Sequence, residues 1–162
     1  MAKIKGKKKL EKIINEFTQQ FGVKAKLGPE FLAFADSGKI HFAVATMQED
    51  NNFFIEDAVL KYPEIQAPPF IWLLMHEIGH CMTDHYFSAA EQEYITKMKD
   101  KLAYLSDDQD RNDWYHSLPD EFNATRWAAI YMIEHPKKIA KFWNKAQKAI
   151  QNFYIENNVI DE

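Results

Sequence analysis

The sequence predicts an α+β fold: a mainly helical single domain over residues 1–162, with a small antiparallel sheet packed beside one central helix. Three observations predict it. Apolar residues recur with helical period over 8–21, give way to two short apolar runs around a turn between 31 and 45, and return to helical period from 70 onward. The stretch Phe70–His85, FIWLLMHEIGHCMTDH, is apolar on most sides, which marks a helix buried all round. The chain has 162 residues, of which 46% are hydrophobic, with twelve phenylalanines and four tryptophans. That is enough to fill one core and too apolar for a disordered chain.

The elements follow in order. Leu10, Ile13, Ile14, Phe17 and Phe21 give the first helix its apolar stripe, and Gly22 ends it. Phe31–Ala35 and Ile40–Ala45 flank the turn cluster Asp36-Ser37-Gly38-Lys39, which predicts the hairpin. His41 falls in its second strand and reads as a strand-surface residue. Gln48–Asn52 reads as a polar loop, and 53–62 is open between a short helix and a third strand. Pro68-Pro69 opens the central helix, since proline suits the first turn. Ser88 and Glu91 have the spacing of a capping box, and Ile95, Met98, Leu102 and Leu105 line one side of the helix that follows. Residues 106–113, SDDQDRND, read as a solvated acidic loop. Asp108, Asp110 and Asn112 have the 1-3-5 spacing of a calcium loop, but Asp113 and Pro119 stand where that loop needs glycine and glutamate. Ser117 is positioned to cap a helix over 118–134 with Ala124, Trp127, Ala128 and Tyr131 inward. A last helix runs from 136 to about 156 with Ile139, Phe142, Ala146, Ile150 and Phe153 inward.

Composition narrows the function. The formal net charge is −4, so nothing overall asks for nucleic acid. The lysines at 3, 5, 7, 8, 9 and 12 read as the solvated side of the first helix. No apolar run reaches the length of a membrane span, and no apolar segment follows the first lysines as a secretory signal would require. The single cysteine, Cys81, has no internal partner, which points to a reducing, cytoplasmic setting. On a helix it projects about 100° from its neighbour His80 and reads as core.

The chemistry is concentrated in His76-Glu77-Ile78-Gly79-His80, an H-E-x-x-H match. Residues four apart on a helix project to one side, so His76 and His80 present two imidazoles to one point. Buried ionisable groups are costly unless paired or metal-bound. Two neutral imidazoles suit zinc (Zn2+), with Glu77 beside them as the base for a zinc-activated water. Gly79 costs about 1 kcal/mol against alanine in a helix, which suggests that a strand or a substrate comes close there. The plainer reading, a core helix with two hydrogen-bonded histidines, requires five matching residues to coincide.

A catalytic zinc site needs a third ligand. Thr83 and Tyr86 occupy the places where some families carry a glycine and a histidine, and His85 lies about 140° round the helix from His80. A carboxylate from a later helix remains, and Asp120–Ala128, DEFNATRWA, supplies one. Glu121-Phe-Asn-Ala124-Thr125 resembles the E-x-x-A-[DN] segment of gluzincin-type zinc peptidases, and Glu121–Ala128 is similar to the matching segment of ImmA/IrrE-type metallopeptidases. The similarity covers two short motifs and the element order. It implies a minimal gluzincin domain with His76, His80 and Glu121 as zinc ligands and Glu77 as catalytic base. It also implies that Ala124 lets two helices cross closely, and that a peptide or protein substrate pairs with an edge strand, for which 40–46 is the candidate. The family's aspartate or asparagine four residues after the glutamate, which orients a zinc-bound histidine, is Thr125 here. That substitution bears on the strength of the activity more than on the metal.

Peptide-bond hydrolysis is therefore the expected reaction, with Glu77 moving the proton and with His116, Tyr115 or Tyr131 as candidate oxyanion donors. Two rivals stand beside it: a metal-binding regulatory or interaction protein that barely cleaves, and a helical module without metal.

Overall fold

The computed structural model describes residues 5–44 and 53–157. Helix α1 (Lys7–Thr18) continues into a short 3-10 turn, Gln19–Phe21, and stops at Gly22, whose φ of 71° is left-handed. Three short strands follow: β1 (Lys24–Leu27), β2 (Leu32–Phe34) and β3 (Lys39–Phe42). Then come α2 (Phe53–Lys61), α3 (Pro69–Thr83), α4 (Ala89–Leu102), α5 (Asp108–Ser117), α6 (Pro119–Glu134) and α7 (Pro136–Glu156). The mainly helical α+β architecture expected from the sequence is the one observed. The expected polar loop at 48–52 lies outside the described residues.

The sheet is mixed where a plain antiparallel hairpin was expected. β2 and β3 form that hairpin, joined by a 3-10 turn over Ala35–Ser37, with Gly38 at φ 65°. β1 adds to the other side of β3 in parallel, Ala25 opposite Ile40, so the order is β1-β3-β2 and β3 is central. Ala25, Ile40 and Phe42 turn inward while Lys24 and Lys39 face out, the alternation of a sheet with one wet side. Asn15 of α1 fastens the sheet: its side-chain amide donates to the Ala25 carbonyl and accepts from the Ala25 N–H, both at 2.8 Å.

Proline opens α3, α6 and α7 at the first turn, where its missing N–H costs nothing. Ser88 and Glu91 form the capping box reciprocally at 3.1 and 3.0 Å, as their spacing predicts. The stretch 106–113 differs from expectation. Asp107 accepts from the N–H of Asp110 and starts α5, so the three residues lie on a helix, with Asp110 on the side away from Asp108 and Asn112. They are not a chelating loop.

Helix α3 is the centre of the core. Phe70 through His76, Ile78, Gly79 and His80 are buried. Helix α6 packs along it, β2 and β3 cover another side, and α2 a third. Phe17 of α1 stacks on Phe142 of α7 with ring centroids 4.2 Å apart, which seals the core from the far side. At the α3–α6 crossing a Cβ on Gly79 would meet the Ala124 carbonyl oxygen at 2.4 Å. The backbone that Gly79 admits is therefore that of α6, not a strand or a substrate.

Candidate metal centre

Helices α3 and α6 bring three ligand atoms to one point. His76 Nε2 is 2.8 Å from Glu121 Oε2, His80 Nε2 is 3.1 Å from the same oxygen, and the two Nε2 atoms are 3.1 Å apart. His76, His80 and Glu121 are all buried. The two histidines meet because they are four residues apart on α3, and Glu121 reaches them from the first turn of α6 because Gly79 and Ala124 allow that approach.

The outer ring nitrogens are held as well. Asp84 lies against His80 Nδ1 with both oxygens, at 3.0 and 3.1 Å. A carboxylate can only accept, so Nδ1 donates and Nε2 faces the site. Thr125 Oγ1 is 3.0 Å from His76 Nδ1, the orienting contact the resemblance implies for that position. Asp84 was not anticipated. Its signal was present in the sequence, since it stands four residues after His80, one helical turn on.

This donor set fits a small divalent cation. Ligand atoms about 2.0–2.1 Å from a tetrahedral centre stand about 3.3 Å apart, close to the separations found here. With its Nδ1 proton given to Asp84, neutral His80 presents Nε2 as an acceptor facing the Glu121 carboxylate oxygen, so a proton or a cation must lie between them. Without a metal, the charge balance places a proton on His80 beside an ionised Glu121. Burial works to lower the His80 pKa, but hydrogen bonds and charge from Asp84 and Glu121 override it and raise it well above the ordinary histidine value. Burial works to raise Glu121, and its bonds to His76 and His80 override that and hold it well below the ordinary carboxyl value. The second oxygen of Glu121 accepts from the Lys99 ammonium at 2.9 Å, and Lys99 also donates to Asp120 Oδ2 at 2.7 Å. Lys99 thus leaves Glu121 one oxygen for the histidine pair. No spacing in the sequence ties Lys99, on α4, to the motif.

The residues of this triangle line a cavity of about 590 Å³, shared with Glu77, Asp84, Lys99, Tyr115, His116 and Leu32 and Ala33 of β2. Glu77 keeps some contact with solvent, yet its carboxyl is enclosed enough that burial raises its pKa, against the lowering effect of His76 and His80. Tyr115 and His116 are on the cavity wall. Burial, then the Glu121 charge and a hydrogen bond to it, push the Tyr115 hydroxyl up, and burial lowers His116, which favours its neutral form. Tyr131 is elsewhere: its hydroxyl donates to Gln20 and its ring stacks on Trp127. The sheet edge beside the cavity is β2, whereas β3 is flanked on both sides, so the 40–46 candidate is corrected to 32–34. Asp120 is buried on Lys99, and with His80 and Asp84 it forms a second, overlapping cluster of metal-type groups.

Other sequence candidates stand apart. His85 is exposed on the turn after α3, tilted against Tyr86, and His41 packs its ring against Phe34. Cys81 is half-buried against the Lys39 carbonyl, and burial pushes its thiol up to about 12, which suits packing and not nucleophilic chemistry. No helix among the described residues is long and apolar enough to cross a membrane. Comparison with protein-family models, curated proteins and solved structures finds no match, so the reading rests on the geometry.

Proposed function

We propose that the chain is a zinc-dependent peptide hydrolase. One observation carries this reading: His76, His80 and Glu121 converge to within 3.1 Å on the wall of a cavity that also holds Glu77. A divalent ion held by those three residues would supply a Lewis acid and a water acidified toward neutral pH. The Glu77 carboxylate, made more basic by burial, takes a proton from water on one of its Oε atoms and returns it to the leaving amine nitrogen. Asp84 and Thr125 hold the two imidazoles in register. Tyr115 and His116 are the remaining cavity-lining donors for the oxyanion. The edge of β2 offers its backbone to an extended peptide lying across the cavity.

A second reading is supported by Thr125. A threonine hydroxyl holds His76 where the resemblance implies an aspartate or asparagine, and this favours a metal-binding regulatory protein with little turnover. One experiment separates the two. Zinc content is measured first, then cleavage of a panel of denatured proteins and peptides by wild type and by Glu77→Gln. The hydrolase reading expects about one zinc per chain in both and a turnover loss of about 10²-fold or more in the variant, the scale of general acid–base catalysis. Zinc in both with no cleavage by either supports the regulatory reading. A chain that stays metal-free when offered zinc overturns both.

A further inference from the structure

Helices α1 and α7 come from opposite ends of the chain and pack together. Lys7, Lys8, Lys9 and Lys12 lie on α1, and Lys137, Lys138, Lys141, Lys145 and Lys148 on α7; all nine are exposed. Against them the two helices carry only Glu11, Glu16 and Glu156, so they hold +6 while the remaining residues hold −10 of the chain's −4. The modest net charge conceals this separation. Lys9, Lys141, Lys145 and Lys148, with Asn144 and Asn152, wall a groove of about 390 Å³ floored by Ile13 and Ala149. On α7 the five lysines fall within about 100° of arc and extend about 16 Å along the axis. Glu16, paired to Lys145 at 2.9 Å, is the one acid bonded to a lysine of the groove wall among the described residues.

We propose that the α1–α7 groove binds the phosphate backbone of duplex nucleic acid without reading its sequence. A linear row of ammonium groups fits a linear row of phosphates, and the neighbouring asparagines add donors for phosphate oxygens. Among the described residues no arginine and no exposed aromatic ring lines the groove, so they offer none of the side chains that bind guanine edges or stack single-stranded bases. A membrane surface fits less well. The apolar face of α7, Phe142, Ala146, Ile150 and Phe153, is buried in the core and has nothing to insert between lipids. An acidic protein fits less well because the groove lacks the aromatic and arginine anchors that carry such interfaces.

The test is fluorescence anisotropy of a labelled mixed-sequence duplex of about 20 base pairs with the full chain. Four phosphate contacts give a log–log salt slope of roughly −3 to −4, so affinity falls about 10²-fold between about 50 and about 200 mM salt. Lys141→Glu/Lys145→Glu/Lys148→Glu should weaken binding by about 10-fold or more per unit of salt slope lost, and Lys97→Glu/Lys101→Glu on α4 should leave it unchanged. Far-UV circular dichroism checks the triple variant, and the milder Lys→Gln set is read if it fails to fold. Absence of binding at the lowest salt, equal binding by the triple variant, or an equal loss in the α4 control overturns the proposal. So does stronger competition by phosphatidylserine vesicles or polyglutamate than by unlabelled duplex.

Discussion

Gly79→Ala tests how the candidate metal centre is positioned. Alanine is the better helix former by about 1 kcal/mol, so an isolated view of α3 expects stabilisation. The crossing opposes that gain. The new Cβ would lie 2.4 Å from the Ala124 carbonyl oxygen and 3.0 Å from its carbonyl carbon and Cα. Comfortable contact begins at about 3.5 Å, so α6 must retreat by roughly 1 Å. Overpacking of this kind costs about 1–3 kcal/mol, leaving a net loss of about 0–2 kcal/mol in the metal-free protein. The larger effect falls on the ligands. Glu121 is one turn before Ala124, and a 1 Å retreat would carry its oxygen from 2.8 and 3.1 Å of the imidazoles to nearly 4 Å. That exceeds the roughly 3.3 Å edge of a tetrahedral zinc site. Zinc affinity should fall by about 10-fold or more, or about 1.4 kcal/mol. A chelator-competition titration reads the affinity, and thermal melts of the metal-free protein read the stability. Ala124→Gly should give no rescue, because the overlap is with backbone. Unchanged zinc affinity together with a raised melting temperature would refute the reasoning.

Other predictions concern the groups around the triangle. Asp84→Asn keeps the shape but removes the charge on His80 Nδ1, and zinc affinity should drop about 10–100-fold by the same titration. Thr125→Val should cost less than that, and Thr125→Asp should raise affinity or turnover by giving His76 a charged partner. In the metal-free protein, His80 is raised, so its stabilisation is full below the ordinary histidine pKa and is lost as pH rises through the raised value. Glu121 is lowered, so its stabilisation is full above the ordinary carboxyl range and is lost as pH falls through the depressed value. Melts of the chelated protein should therefore be highest between the ordinary glutamate and histidine ranges, while zinc affinity keeps climbing with pH as the His80 proton is displaced. Lys99→Met leaves Asp120 and Glu121 without their cation; discounted for the partial exposure of Lys99, it should cost about 1–3 kcal/mol in thermal melts. A variant as stable as wild type would show that Lys99 is only a solvated neighbour.

Much of this arrangement was legible in the sequence, for identifiable reasons. His76 and His80 are related by one turn of a helix whose burial shows in its unbroken apolar character, so local spacing sufficed. Glu121 was reachable only because the segment around it resembles a known one; its own environment, a first-turn acid, has an ordinary explanation in the helix dipole. Asp84 was legible and missed. Lys99 was not legible, since an ammonium on α4 meets α6 only after both have packed. The parallel strand β1 depends on pairing between residues as far apart as Lys24 and Lys39, and Lys24-Ala-Lys-Leu27 is too short and too charged to announce itself. Helix α5 is polar enough to pass for a loop, and its start is set by one side chain, Asp107.

The clasp between Asn15 and Ala25 bears on what the sheet can become. A side-chain amide offers one donor and one acceptor at the spacing of a peptide group, so Asn15 stands in for a neighbouring strand along the outer rim of β1. With its outward groups filled in this way, Ala25 cannot pair with another chain, and blocking edge groups is one way folded proteins avoid sticking edge to edge. The opposite rim, along β2, has no such plug among the described residues, and Leu32 and Phe34 there are 41% and 42% exposed. Of the two rims, the β2 one is therefore the open one for an added strand. Asn15→Leu would free the Ala25 N–H and carbonyl, and more self-association than wild type by light scattering would show that Asn15 protects this rim.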